Sequence, residues 1–418
     1  MLHSPETLEK VRARFAHVDS CPLTGDRVFF ENAGGALTLK SVVETSAYYA
    51  AIPDNQGRDN PMSKELVRVI NKAKDDARLL LNAPEGHIFV GESGTEVTFR
   101  LVRSACVAAD KGGVILSSTL EHPASRSAAA IWAKETGREH IVVAHDDATG
   151  TITAEAYRAA LTPDVRVATI IHTSPVTGMG VDVAAIAAEI RAVAPDCLII
   201  VDGIQHAAHG HIDIQSYGID GYAISPYKMF SRHGYGLGWA SDRLTLLPHE
   251  NLQGGPKEAW EFGTRDTGAY ATLSDVVTYL DWLGGEVSDE TDPRARLEAA
   301  ARAIHDHEQD LTNAMLHGVG NQKGLVEHEG LHVIGGIDNP AREGLVSCWV
   351  DGLPTVELVA ALNDRGIRTH TRKADHYSGN ILIPLGQPDC VRISLCHYNS
   401  EQEIARLLAA MDEILAAR

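Results

Sequence analysis

Between about residue 60 and residue 245 the chain alternates short, continuous apolar runs with amphipathic stretches of helical period. The runs are Ile88–Val90, Val114–Leu116, Ile141–Ala144, Val165–Ile171, Leu198–Val201 and Tyr222–Ile224. Between them, Ser63–Leu81 repeats Leu66, Ile70, Ala73, Ala77 and Leu80 at helical spacing, and Pro123–Glu135 and Val183–Val193 are of the same kind. A strand that is apolar at successive positions is buried on both faces, and strands joined through helices run parallel. The pattern predicts an α/β unit with a mostly parallel sheet and helices on both faces. Ligands of such sheets sit at the carboxyl ends of the strands, so the polar residues that follow each run are the first place to look.

The pattern changes after about residue 265. Ala269–Leu283 reads as a long helix, followed by the polar, acidic stretch GGEVSDETDPRAR. Residues 286–418 mix helices and strands and predict a smaller α+β domain. The division expected is an N-terminal segment 1–22 packing with the small domain, a large domain 23–285 and a small domain 286–418. The last helix opens on a capping box, Ser400 with Glu403, and carries Ile404, Leu407, Leu408, Met411, Ile414 and Leu415 as an inward stripe.

Charge and cysteine usage narrow the partners. Lys plus Arg number 37 against 56 Asp plus Glu, a net charge of −19. Nucleic acid and anionic membrane both require a basic footprint, so neither is expected as a partner. No apolar run nears the ~18 residues of a membrane span, and the start, MLHSPETLEK, lacks the apolar core of a secretory signal. Six cysteines are scattered without a CxxC pair. A reduced, cytoplasmic protein without a disulfide frame or zinc cluster is expected.

Four strand ends carry polar residues. Gly91-Glu92-Ser93-Gly94-Thr95 turns from a strand into a helix, whose free N–H groups suit a phosphate; a plain N-cap is the simpler use. Glu121-His122 puts an imidazole at a helix start. Asp202 ends an apolar strand, followed by Gln205, His206, His209 and His211. Their spacing matches no standard metal-binding pair, and no metal is expected. Lys228 follows a strand amid Pro226, Tyr227, Met229 and Phe230, a setting that lowers an amine's pKa and favours Schiff-base chemistry. The later Gly234, Gly236 and Gly238 lead into a strand, which makes a weak nucleotide signal.

In this order and spacing, the pieces resemble the class V aminotransferase family, fold-type I pyridoxal-phosphate enzymes. Its other marks are Asn32-Ala33-Gly34-Gly35, Glu261-Phe262-Gly263-Thr264 and Arg392-Ile393-Ser394 with His397-Tyr398-Asn399. The resemblance implies that Lys228 forms an aldimine with pyridoxal 5'-phosphate. It implies that Asp202 pairs with the ring nitrogen, Gln205 with the ring hydroxyl, and that His122 stacks on the ring. Gly94, Thr95 and Ser225 would hold the phosphate. Thr264 would reach the partner's active site in a homodimer. Arg392 would clamp the carboxylate of an amino-acid substrate, with Asn32, Ala33 and Gly34 beside it.

The departures bear on the reaction. A desulfurase of this family carries a cysteine in a small-domain loop, and here Gly366–Tyr377 contains none. Pro175 and Tyr227 replace an Asn and a His of relatives. Instead the stretch is basic, with Arg368, His370, Arg372, Lys373 and His376; it is a solvated loop or a contact for a second anionic group, with His370 and Arg372 as the candidate contacts. The expected reaction is a cysteine desulfurase-like C–S (β-elimination) lyase. The alternatives are a class V aminotransferase, a racemase or epimerase, a non-catalytic protein that keeps the fold, or a metal hydrolase using His206, His209 and His211.

Overall fold

The structure is a computed structural model that describes residues 4–417. Seven strands form the main sheet: β1 (His87–Gly91), β2 (Val114–Ser118), β3 (Glu139–Val143), β4 (Val165–Ile171), β5 (Leu198–Asp202), β6 (Gly221–Ile224) and β7 (Gly236–Ala240). Their order is β1-β7-β6-β5-β4-β2-β3. All neighbours are parallel except β7, which runs antiparallel to both β1 and β6. Only a loop with one short turn joins β6 to β7, and without a crossover helix the chain must return in the opposite direction.

The helices used below are α1 (Pro5–Arg12), α2 (Pro61–Leu81), α3 (Gly94–Ala108), α4 (Pro123–Thr136), α5 (Val183–Val193), α6 (Thr267–Val287), α7 (Pro293–His317), α8 (Thr355–Asp364) and α9 (Glu401–Ala416). Successive strand residues point to opposite faces, and both faces are covered. Ile115, Val167, Ile200 and Ala223 meet Val97 and Leu101 of α3 and Ala128 of α4. Leu116, Ile170, Ile199 and Ile224 belong to the other core, with Ala77 of α2, Ile186 of α5 and Leu273 of α6. This is the fold-type I architecture, with its continuous apolar strands.

The smaller sheet is antiparallel, with β8 (Leu331–Val333), β9 (Leu345–Val350), β10 (His370–Lys373) and β11 (Asp389–Ser394) in the order β8-β9-β11-β10. Its core joins Val346, Val391 and Ile393 to Leu311 of α7, Leu362 of α8 and the stripe Ile404, Leu407, Leu408 and Met411 of α9.

Two local readings change. The basic stretch at 368–376 is not a loop at its centre, because His370–Lys373 is β10, paired with β11. Residues 28–31, counted with the large domain by sequence, run beside the small sheet. Val28–Phe29 pairs in parallel with Ile367–Arg368, and Val28 and Phe30 are buried in the small core. The alternation of Val28 and Phe30 needs an apolar surface, and α9 with β11 supplies it.

Of the segment 1–22, residues 1–3 lie outside the described residues. Ser4 caps α1, its Oγ accepting from Thr7 N–H at 3.0 Å. Phe15, only 1% exposed, packs its ring against Phe230, Tyr279, His397 and Tyr398. Arg12 donates to the Tyr398 carbonyl at 2.5 Å and pairs with Glu403. No helix among the described residues is long and apolar enough to cross a membrane. Replacing Phe15 by Ala opens a cavity in the aromatic cluster that backs the Lys228 turn. It should lower unfolding free energy by about 3–5 kcal/mol. A urea titration with an unshifted midpoint would show that the cluster does not depend on Phe15.

Candidate functional site

The polar strand ends converge on one edge of the main sheet. Lys228, 9% exposed, ends a single 3-10 turn after β6, and its Nζ donates to Gln205 Oε1 at 3.2 Å. Burial lowers its pKa to about 7, assisted by the positive charge of Arg392 and, less, of Arg372. At neutral pH much of the amine is therefore unprotonated. Two residues on, buried Phe230 has φ +63°, an uncommon conformation for a bulky side chain. Such strain persists only where the surroundings impose it, and here Phe15 and His397 enclose the ring.

Asp202, at the end of β5, accepts from Ile204 N–H at 3.0 Å and from Ser125 Oγ at 3.3 Å. Burial raises its pKa. Glu121 lies close by and is pushed up to about 8, first by burial and then by the Asp202 charge. Its Oε1 accepts from Ile171 N–H at 2.8 Å, and its Oε2 is buried without a partner. Glu121 thus holds a proton at neutral pH while Asp202 is the acid next to Lys228. Sequence reading had Glu121 only as the neighbour of His122; it missed Ser125, which no motif marks.

His122 caps α4, its Nδ1 accepting from Ala124 N–H at 3.2 Å. Burial lowers its pKa to about 3, helped by Lys228, Arg372 and Arg126, so the imidazole is neutral. Ser93 caps α3 through Glu96 N–H, and Gly94 is the first helical residue. A Cβ on Gly94 would lie 2.1 Å from Ser225 Oγ, so the glycine keeps the helix start open beside that hydroxyl. Gly236 in turn allows β7 to pass the Ser93–Gly94 backbone, where a Cβ would lie 2.3 Å away. The glycine-rich stretch is therefore a packing device rather than a nucleotide loop. Thr95 is exposed on the first turn of α3.

Gln205 links Lys228 to a deeper pair. Its Nε2 lies 3.1 Å from His209 Nε2, and His209 Nδ1 lies 2.7 Å from Glu308 Oε2. With Nδ1 protonated toward Glu308, Nε2 accepts from the Gln205 amide, which turns its carbonyl to Lys228. Glu308 sits inside α7 and carries no sequence signal beyond being an acid on the buried side of a helix. The other histidines diverge. His206 Nδ1 meets Glu343 Oε1 at 2.9 Å, and His211 turns to Arg294 and Glu298. The three do not face a common point, which removes the geometric basis of the metal-hydrolase alternative. His209, Glu308 and Cys396 do lie together, their ligand-capable atoms within 4.8 Å, in a fully buried group.

The small sheet supplies Arg392. Its Nη1 donates to the Pro175 carbonyl at 3.0 Å, and its Nε is buried without a partner. Burial, with Arg372 nearby, lowers its pKa to about 9. Thus Pro175 serves through its carbonyl, and Tyr227 stacks on His233 at 4.2 Å. A Cβ on Gly34 would lie 3.5 Å from Arg392 Nη2, so Gly34 borders this guanidinium. Asn32 and Ala33 are engaged otherwise. Asn32 Nδ2 donates to the Ser394 carbonyl at 2.8 Å, its Oδ1 accepts from the Tyr398 hydroxyl, and Ala33 N–H donates to Ser394 Oγ at 2.9 Å. These bonds form a floor that ties residues 28–34 to β11. His370 Nδ1 meets Glu31 Oε1 at 3.3 Å, and Arg372 Nε donates to Ser378 Oγ at 2.8 Å. Thr264 is exposed and lines a surface cavity with Tyr49, Gln56 and Asp266, outside the group around Lys228.

A buried amine, a buried carboxylate and a glycine-opened helix start thus meet at the edge of this sheet. The chain belongs to the class V aminotransferase family, whose sequence profile matches residues 28–275 and 296–407. It is 28% identical to a probable cysteine desulfurase of Xylella fastidiosa, across 96% of this chain and 94% of that protein. It is 25% identical to the aminotransferase-like protein FGM3 of Gibberella zeae, across 99% and 100%. A cysteine desulfurase from Thermococcus onnurineus superposes with a TM-score of 0.83 at 19% identity, over 98% of both chains.

His206 and Glu343 join the main sheet to the small one, and their linkage is testable. Burial opposes the charge on His206, but Glu343 raises its pKa above the ordinary 6.5; burial likewise opposes the charge on Glu343, but His206 lowers its pKa below 4.5. The stability from this pair is fully present between about 4.5 and 6.5. It is lost as pH rises through the raised His206 value and as pH falls through the lowered Glu343 value. Glu343→Gln should flatten the thermal-midpoint profile above pH 6.5 relative to the parent, and an unchanged slope would remove the pair from that role.

Proposed function

We propose that this chain is a cysteine desulfurase-like C–S lyase that acts on a free amino acid without a loop thiol. The observation that carries the reading is Lys228, a buried amine with a pKa lowered to about 7 and flanked by Asp202, Gln205 and Arg392. The residues fit pyridoxal phosphate. Lys228 would hold its aldehyde carbon, Asp202 its ring nitrogen and Gln205 its ring hydroxyl, with neutral His122 against the ring face. Gly94, Thr95 and Ser225 would hold its phosphate at the start of α3. When bound, the cofactor supplies an electron sink that labilises bonds at the substrate's Cα.

The chain's own groups supply the rest. Arg392 holds the substrate carboxylate, a task suited to a planar guanidinium fixed from behind by the Pro175 carbonyl. Lys228, unprotonated near neutrality, takes the proton from Cα. Asp202, shielded from water, keeps a positive charge on the group it faces. The electron pair left at Cα then forms a Cα–Cβ double bond as the Cβ substituent leaves with its bonding pair. The thiols play no part in this reading. Cys390 and Cys396 are buried with raised pKa values, and half-buried Cys21 sits on the short strand Ser20–Cys21, which pairs with Gly25–Asp26. Thr264, exposed and outside the group around Lys228, would meet the partner's site in a homodimer, as the family resemblance implies.

Pyridoxal phosphate and borohydride test the reading. The reduced adduct should fall on Lys228, with a yield that rises with pH and is half-maximal near 7, because only the neutral amine reacts. Adduct spread over surface lysines, or a yield still climbing near pH 10, would refute it. A panel of amino acids followed by mass spectrometry then separates elimination, which yields an oxo acid and ammonia, from transamination and racemisation.

A further inference from the structure

We infer that Arg372 and Arg392 form a two-anion site, so that the substrate is an amino acid whose side chain ends in a second acidic group. The inference rests on the amino-acid reading above and names the substrate class of that site.

The register of the small sheet carries it. His370 pairs with Arg392 and Arg372 pairs with Cys390 across β10 and β11. Directly opposed residues share a face, and so do positions two apart along a strand, so both arginines lie on one face. They are diagonal neighbours, ~7–8 Å apart at the backbone. Two guanidinium groups on one face of the sheet offer one place each for two anions on one small molecule.

Both charges reach the Lys228 cluster. Each contributes to lowering the pKa of Lys228, and Arg372 is the main charge acting on Arg392. Arg372 is also aimed. Its Nε is held by buried Ser378, and its guanidinium lies 5.6 Å from the ring of Tyr377. That ring in turn lies 6.2 Å from the His122 ring. Arg372 therefore stands between the lip of the site and Arg392.

Neither arginine forms an ion pair among the described residues. The nearby acids are already engaged. Glu31 pairs with His370, and Asp375 accepts from Tyr377 N–H at 2.8 Å. In a chain of net charge −19, two adjacent guanidinium groups without a carboxylate are a costly arrangement. The substrate's α-carboxylate neutralises Arg392, and the cofactor phosphate would lie at Gly94 and Ser225. Arg372 is left for a further anion.

The test is calorimetry on the cofactor-loaded protein with two unreactive probes, succinate and its monoamide, succinamate. The two differ by one charge at nearly constant shape. Succinate should bind about 10- to 100-fold tighter, the range of a hydrogen bond to a charged group. Arg372→Gln should abolish that preference and leave succinamate affinity unchanged, and Arg372→Lys should restore part of it. Equal affinity for the two probes, binding of neither, or an equal loss of both in Arg372→Gln would overturn the inference. Absorbance of the loaded protein reports separately on cofactor binding, so failure of the enzyme reading shows there first.

Discussion

Covering a sheet on both faces leaves polar side chains only its ends. The central strands β2, β4, β5 and β6 are mostly apolar inside, because a buried polar group without a partner costs more than most single contacts return. The polar residues of those strands are therefore pushed to the same edge, since parallel strands all finish on one side. Asp202, Glu121, His122 and the Ser225–Lys228 turn are neighbours for that reason alone. The antiparallel β7 extends the principle, because its beginning falls on the edge where the others end. Gly236 there lies against Ser93 and Gly94.

The same burial sets the chemistry of the edge. An amine among Met229, Phe230 and the sheet loses the hydration that stabilises its charge, and two arginines nearby add to the effect. Two carboxyl groups with little water must divide their protons unequally, and Glu121 keeps one. The neutral imidazole of His122 has the same cause. These perturbed groups are more than a signature of function. They are the consequence of placing polar chemistry where the fold excludes solvent.

Catalysis also needs the small sheet in register with the large one, and polar ties across the two provide it. Asn32 is bound through Ser394 and Tyr398, His206 through Glu343, and buried Arg342 through the carbonyls of Thr177, Ile334 and Leu345. Arg392 is positioned by the same set, since it leaves β11 two residues before Ser394 and rests on Pro175. Residues 28–31 lie beside the small sheet and lead on into the helices that precede the main sheet.

Periodicity and strand-end residues sufficed for the sheet, its covering helices and the group around Lys228, Asp202 and His122. Each rests on local pattern, apolar runs and the residue that stops them, and local pattern is written along the chain. The class V resemblance added the cofactor, which no spacing could name. Other features depend on contacts far apart in sequence. Ser125 reaches Asp202, and Glu308 orients His209, only because their helices pack there. The basic stretch became a strand because β11 offered it an edge, and that pairing turned Arg372 inward beside Arg392 while leaving Lys373 outside. The sequence alone determined which residues could do chemistry and which strand ends would carry them, because burial preference is a local property. Only the tertiary structure decided which charges lack partners, because pairing and desolvation belong to what surrounds a residue, not to what precedes it.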